Sequence, residues 1–312
     1  PNTYPKWLEP KAVVELAFKD NFLTNFPAQF VNVGPPPARL CYRVVAPADF
    51  HLKVCSTNWQ EQGRSQFQFT FHAKVPGPTN AWTLKPRGTV ILLHGYGLAQ
   101  FSMAPWALRL AENGWQCVLL DLRGHGKSTG KRIYYGTVET NDLSQLLTTL
   151  ARDGQLVMPV AAIGESYGAA LALRWKTVEP RLGSVIAIAP YAVLSNAVLN
   201  ICHKYSPWFP QAFLKAGLKD LPAVLHVKPG ELNTTTVMKR HPVKALFIAG
   251  ANDEVMPVAT VRKLYDEAAP GSEFILVPDA IHETVPYYFS EIIPPVLRWL
   301  NDEGEATDSV KP

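Results

Sequence analysis

From residue 88 onward, short apolar runs alternate with longer stretches of helical pattern. Thr89-Val90-Ile91-Leu92-Leu93, Gln116-Cys117-Val118-Leu119-Leu120, Pro159-Val160-Ala161-Ala162-Ile163 and Glu273-Phe274-Ile275-Leu276-Val277 each have the length and continuity of a buried strand, as do residues 184–189 and 243–250. The intervening pattern predicts helices over residues 103–112, 138–150, 166–178, 257–268 and 285–301. Buried strands alternating with helices require a mostly parallel sheet covered on both faces. Upstream, Phe67, Phe69 and Phe71 alternate with Gln66, Gln68, Thr70 and His72, the period of two expected of a half-buried strand. Residues 1–40 are rich in proline and aromatics, with Pro35-Pro36-Pro37 as a breaker. They are expected to form an N-terminal extension that packs over a sheet edge.

Composition narrows the class. The chain has 312 residues and is 47% hydrophobic, enough to bury a large core as one α/β domain. Its net charge of +4 is modest and spread out, which gives no support to nucleic-acid binding. No apolar run has the length of a membrane span. The four cysteines lack metal-ligand spacing, and neither a metal nor a cofactor is expected. Cys117 falls inside a buried strand as a small apolar residue. Cys41 and Cys55 lie in adjacent extended segments and can pair in an oxidising compartment. A chain beginning at Pro1 is expected to have been processed or trimmed: cell envelope or secreted if a signal segment preceded it, cytoplasmic otherwise. A monomer or weak dimer is expected.

The candidate chemistry lies in Gly164-Glu165-Ser166-Tyr167-Gly168, between a predicted strand and the helical run Ala169-Ala170-Leu171-Ala172-Leu173-Arg174-Trp175. A G-x-S-x-G in a strand–turn–helix context lifts a serine hydroxyl clear of the sheet. Downstream, Asp253 follows the strand 243–250, and His282 follows the strand 273–277 on the loop before the last helix. A serine hydroxyl needs a general base to attack an acyl carbon, and the imidazole needs a carboxylate to fix its tautomer. Ser166, His282 and Asp253 fill those roles. Glu254 and Asp279 compete for the acid position: the first would point elsewhere on the turn, and the second is too close in sequence to His282 to reach the far side of its ring.

Further motifs complete the set. His94-Gly95-Tyr96-Gly97 follows the strand 89–93, and Asp121-Leu122-Arg123-Gly124-His125-Gly126-Lys127-Ser128 follows the strand 116–120. The latter ends like a P-loop, but the first glycine position is Asp121, so the nucleotide reading fails. With these segments in order, the chain over about residues 88–300 resembles the α/β-hydrolase superfamily, and within it the monoacylglycerol lipase, lysophospholipase and serine aminopeptidase group. The resemblance implies an α/β-hydrolase fold with a helical cap. It implies oxyanion donors at the Tyr167 N–H and the Tyr96 N–H, with Gly97 in reserve for the second. His94, Arg123 and His125 are read as braces of the loops and not as reacting groups. Residues 50–55 and 67–71 would form the antiparallel pair that opens the sheet.

On that template the core occupies residues 41–190 and 242–301, the cap 191–241, and a tail 302–312. A connection of about fifty residues is too long to be a plain loop and should be structured. Its Trp208, Phe209 and Phe213 are expected to line an acyl pocket. Its Lys204, Lys215, Lys219, Lys228, Lys239 and Arg240 face only Asp220 and Glu231, a balance compatible with an anionic head group or membrane surface. The expected activity is hydrolysis of carboxylic esters through an acyl-enzyme, on a small-molecule acyl ester of lipid type such as a monoacylglycerol or lysophospholipid. The alternatives are a short-chain or aryl esterase, an aminopeptidase, and a non-catalytic binding relative.

Overall fold

The computed structural model describes residues 13–15, 25–61, 64–74 and 85–308; residues 1–12 and 16–24 of the expected extension lie outside them, as do 309–312 of the expected tail. Among the described residues the chain forms two sheets. The strands run β1 (Val13–Glu15), β2 (Gln29–Val33), β3 (Ala38–Val45), β4 (Lys53–Glu61) and β5 (Arg64–His72), followed by β6 (Thr89–Leu93) and β7 (Gln116–Asp121). Then come β8 (Val160–Glu165), β9 (Leu182–Ile188), β10 (Leu246–Gly250) and β11 (Glu273–Val277). The larger sheet has the order β11-β10-β9-β8-β6-β7-β3-β2. It is parallel from β11 to β7, while β3 and β2 complete it antiparallel.

Every residue of β6, β7, β8 and β10 is buried, which explains why these strands read as unbroken apolar runs. Helices cover both faces. They are α1 (Ala104–Ala111), α2 (Glu139–Arg152), α3 (Tyr167–Lys176), α4 (Leu194–Tyr205), α5 (Gln211–Val224), α6 (Thr234–Arg240), α7 (Val258–Asp266) and α8 (Phe289–Asp308). In α3 the residues from Tyr167 to Trp175 are all buried, because it lies on the centre of the sheet beneath other helices. The small residues Gly168, Ala169, Ala170 and Ala172 permit that close seat. α8 runs through Asp308, so most of the expected tail is helix.

Two expectations are corrected at the N-terminal end. The strand pair β4 and β5 is antiparallel as expected, but with β1 it makes a separate three-stranded sheet. The large sheet is opened instead by the β2–β3 hairpin, so residues 29–40 of the expected extension belong to the core. Pro35-Pro36-Pro37 is its turn, held to α2 by Gly34 N–H donating to Gln145 Oε1 (3.1 Å) and by Gln145 Nε2 donating to Gly34 O (2.8 Å). Cys41 is buried on β3 and Cys55 exposed on β4, in different sheets, and both are free thiols.

The segment after β7 is a polar hub beneath the sheet end. Asp121 accepts Gln100 N–H (2.8 Å), Gln100 Nε2 (2.7 Å) and Lys127 N–H (2.8 Å). Arg123 grips Asp142 of α2 through Nε (2.7 Å) and Nη2 (2.8 Å), and the same Nη2 reaches Pro36 O in the hairpin turn (2.8 Å). Both side chains of that ion pair are almost fully buried. Removing one partner strands a buried charge. Asp142→Ala should therefore lower unfolding stability by about 3–5 kcal/mol in chemical denaturation. Asp153→Ala, which breaks the exposed pair with Arg152, should leave it unchanged.

Candidate active site

β6 has β7 on one side and β8 on the other, so the chain order reverses there and a crevice opens beyond the strand ends. Ser166 sits in that crevice, in the turn from β8 to α3. Its backbone holds φ 50° and ψ −109°, a strained conformation for an L-residue. Its N–H donates to Ile188 O on the neighbouring strand (2.8 Å). The flanking glycines are dictated by contact. A Cβ on Gly164 would lie 2.2 Å from Gly168 O, and one on Gly168 would lie 2.2 Å from Leu93 O. No side chain fits at either position without moving backbone.

His282 Nε2 lies 3.0 Å from Ser166 Oγ, and His282 Nδ1 lies 2.8 Å from Asp253 Oδ2. Asp253 is buried, and its Oδ1 accepts the N–H groups of Val255 (2.9 Å) and Met256 (2.7 Å). The carboxylate is therefore fixed, and His282 donates to it from Nδ1. Nε2 is left as the acceptor for the serine proton. The competitors Glu254 and Asp279 are both exposed, and neither makes this contact.

The loop after β6 is held by His94. With Nδ1 it donates to Gly95 O (2.8 Å), and with Nε2 it accepts Leu122 N–H (3.0 Å). Burial lowers its pKa to about 4, so the ring is neutral and serves as a brace. Leu98 N–H also donates to Gly95 O (3.2 Å). In a planar trans peptide the next N–H points opposite to that carbonyl. The N–H of Tyr96 is thereby left without a partner among the described residues. The N–H of Tyr167, first in α3, is likewise an unpaired helix-start donor. The Tyr96 ring is exposed but set edge-on to His125 and Tyr167 and stacked on Tyr135.

A cavity of about 570 Å³ opens over Ser166 and His282. Its walls are largely apolar, with Leu98, Phe101, Ile201, Tyr205, Val255 and Tyr287 among them. The cap residues expected to line it do not. Trp208, Phe209 and Phe213 are 66%, 38% and 73% exposed, and none borders the cavity. Trp208 and Phe209 lie in the turn between α4 and α5, and α5, which carries Phe213, buries none of its residues; it is α4 that supplies Ile201 and Tyr205 to the cavity. Three of the six Lys and Arg side chains of residues 191–241 are matched. Lys204 donates to both oxygens of Glu283 (2.8 and 2.9 Å), Lys239 pairs with Glu267, and Arg240 with Glu231.

Glu165 was not singled out as a site residue from sequence, although it occupies the variable position of the elbow. It is buried, borders the cavity and accepts Gly95 N–H on Oε1 (3.1 Å). Burial pushes its pKa up from 4.5 to about 6, against the Gly95 N–H and the nearby His282 and Ser102. Among the described residues no group of three or more His, Cys, Asp or Glu could hold a metal ion, and no helix is long and apolar enough to cross a membrane.

A parallel-centred sheet with a strained serine elbow, and with an acid and a histidine arriving from the ends of β10 and β11, defines an α/β-hydrolase. Residues 84–239 match the family model described as serine aminopeptidase, S33, and the chain belongs to that family. It is 25% identical over 186 residues to the uncharacterised protein YqkD of Bacillus subtilis, a match covering 57% of this chain and 59% of that relative. It is 27% identical over 258 residues to a monoacylglycerol lipase of Mycolicibacterium smegmatis, covering 70% of this chain and 90% of the relative. Among solved structures, an esterase of Pyrococcus furiosus superposes with a TM-score of 0.64 at 21% identity, over 89% of this chain and 92% of that one.

The raised pKa of Glu165 has a consequence for stability. A carboxyl that favours its proton in the folded state contributes fully below about pH 4.5, and that contribution is lost as pH rises through about 6. The loss amounts to about 2 kcal/mol. Glu165→Gln should therefore gain about that much stability relative to wild type between about pH 4 and pH 7.5, measured by denaturant unfolding at each pH. A difference that does not vary with pH would contradict it.

Proposed function

We propose that this protein is a serine hydrolase that cleaves carboxylic esters through an acyl-enzyme. The observation that carries the reading is the continuous hydrogen-bonded chain from Ser166 Oγ through His282 to Asp253, beneath an apolar cavity and beside two unpaired backbone N–H groups. His282 Nε2 takes the proton of Ser166 as Oγ attacks the ester carbonyl carbon. The Asp253 carboxylate holds the tautomer and stabilises the imidazolium that forms. The N–H groups of Tyr96 and Tyr167 stabilise the tetrahedral oxyanion. Collapse expels the alcohol, which takes the proton back from His282. A water then repeats the sequence on the acyl-serine and releases the acid.

The substrate we favour is a lipid-type acyl ester such as a monoacylglycerol or lysophospholipid. The apolar walls contributed by Leu98, Phe101, Ile201, Tyr205 and Val255 suit an acyl chain. The similarity to a protein named monoacylglycerol lipase points the same way. Amide hydrolysis at a free amino terminus is less well supported, because Glu283, a carboxylate at the cavity wall, has both oxygens on Lys204.

Hydrolysis of p-nitrophenyl esters from acetate to palmitate tests this. We expect a maximum at medium or long chains, and Ser166→Ala should reduce kcat/KM by about 10⁴-fold or more. Asp253→Asn should cost a similar factor, while Glu254→Gln should behave as wild type. Near-normal turnover by Ser166→Ala would sink the assignment. A maximum at acetate that collapses with length would replace lipid esters by small ones.

A further inference from the structure

Beside the cavity that holds Ser166 and His282 lies a second one, of about 830 Å³, between the three-stranded sheet and the start of α8. Val54, Phe67 and Phe69 wall it on the sheet side, and Tyr288, Phe289 and Leu297 on the other. Among the described residues Tyr287 alone borders both cavities. Its ring is buried, with its centroid 6.0 Å from that of Phe69 and 5.7 Å from that of Phe71. Its hydroxyl donates to the carbonyl oxygen of Ser102 at 3.4 Å, and Ser102 borders the first cavity. The side chain thus spans the wall between the two. The turn that carries it is pinned: Tyr287 N–H donates to Thr284 O (2.8 Å), and the preceding Pro286 O accepts Trp106 Nε1 (3.0 Å).

We propose that Tyr287 is the partition that closes the acyl end of the active-site cavity, and so sets the longest acyl chain that the site accepts. This deepens, and rests on, the reading of that cavity as an ester-binding site. Tyr96, Leu98 and Phe101 are exposed and mark the mouth of the cavity, whereas Tyr287 is buried and marks its closed end. With the alcohol part of the ester towards the mouth and water, the acyl chain lies towards Tyr287. Each methylene gains from burial only while it finds apolar wall to cover. A chain one step too long must push a pinned ring into Phe69 and Phe71, which a close-packed interior resists. Behind the ring the space continues against Phe67 and Phe69, so the barrier is one side chain thick. Tyr287 is a specificity-determining residue in this scheme and takes no part in proton transfer.

Calorimetric binding of straight-chain fatty acids from hexanoate to tetradecanoate, kept below micelle formation, tests the partition without turnover. In the wild type, affinity should rise about two- to fourfold with each added methylene and then level off. In Tyr287→Ala the rise should continue, so that tetradecanoate binds about tenfold or more tightly than it binds wild type, while hexanoate stays within about twofold. Tyr287→Leu leaves less of a void and should show the same change in smaller measure, which serves if the alanine protein does not fold. Tyr287→Phe keeps the ring and should keep the wild-type plateau. Leu297→Trp fills the second cavity from α8 and should restore the plateau in the Tyr287→Ala protein. Several outcomes would overturn the proposal: wild-type affinity that climbs through tetradecanoate, an unchanged plateau in both Tyr287→Ala and Tyr287→Leu, or a shifted one in Tyr287→Phe. A gain that Leu297→Trp leaves intact, or no binding of any acid, would do the same. Extended chain binding in Tyr287→Ala without ester turnover by wild type would leave the partition standing while the hydrolytic reading failed.

Discussion

The site depends on how closely the start of α3 approaches the end of β6. Gly168 packs against the carbonyls of Leu93 and His94, and Gly164 against the carbonyl of Gly168, with no room for a β-carbon at either. That approach forces Ser166 into its strained turn and places the first N–H of α3 beside the loop that carries Tyr96. A larger residue at either glycine would separate the serine from both the loop after β6 and the imidazole. The strain is held by burial: four fully buried strands, and an α3 buried almost throughout.

Around that contact the polar groups divide their labour. Asp253 uses one oxygen on its own turn and the other on His282, so the imidazole has its tautomer already set. His94 fixes the peptide that aims the Tyr96 N–H, and does so because burial keeps it neutral. Arg123, Asp142 and Asp121 tie the loop after β7 to the hairpin and α2, well below the reacting atoms. Glu165 stands between the two groups, bonded to the loop after β6 and bordering the cavity.

Much of this was legible in the chain. The parallel strands were visible because strands buried on both faces must be continuously apolar, and the elbow was visible because only glycine fits on either side of Ser166. Asp253 and His282 could be placed because each follows a strand that is readable in the same way. The misplacements share a cause. The alternation of Phe67, Phe69 and Phe71 shows that a strand has one buried face, but not which sheet it joins. Gln29–Val33 was hidden by its polar residues and the prolines that follow, although Val31 and Val33 turn inward. Trp208, Phe209 and Phe213 look like pocket residues by composition, yet how the turn after α4 and the face of α5 meet the core is settled by packing between elements far apart in sequence. Glu165 carried a signal, an acidic residue flanked by apolar strand and elbow, whose meaning rested on the distant Gly95 N–H.

The proposed chemistry requires Ser166 to be a nucleophile activated by His282. Incubation with a fluorophosphonate, followed by peptide mass spectrometry, reads this directly because the reagent forms a stable bond only with an activated hydroxyl. Stoichiometric phosphonylation of Ser166 is expected, and it should disappear in His282→Ala while the fold is retained. Absence of the adduct in the wild type, or labelling that is indifferent to His282, would contradict it.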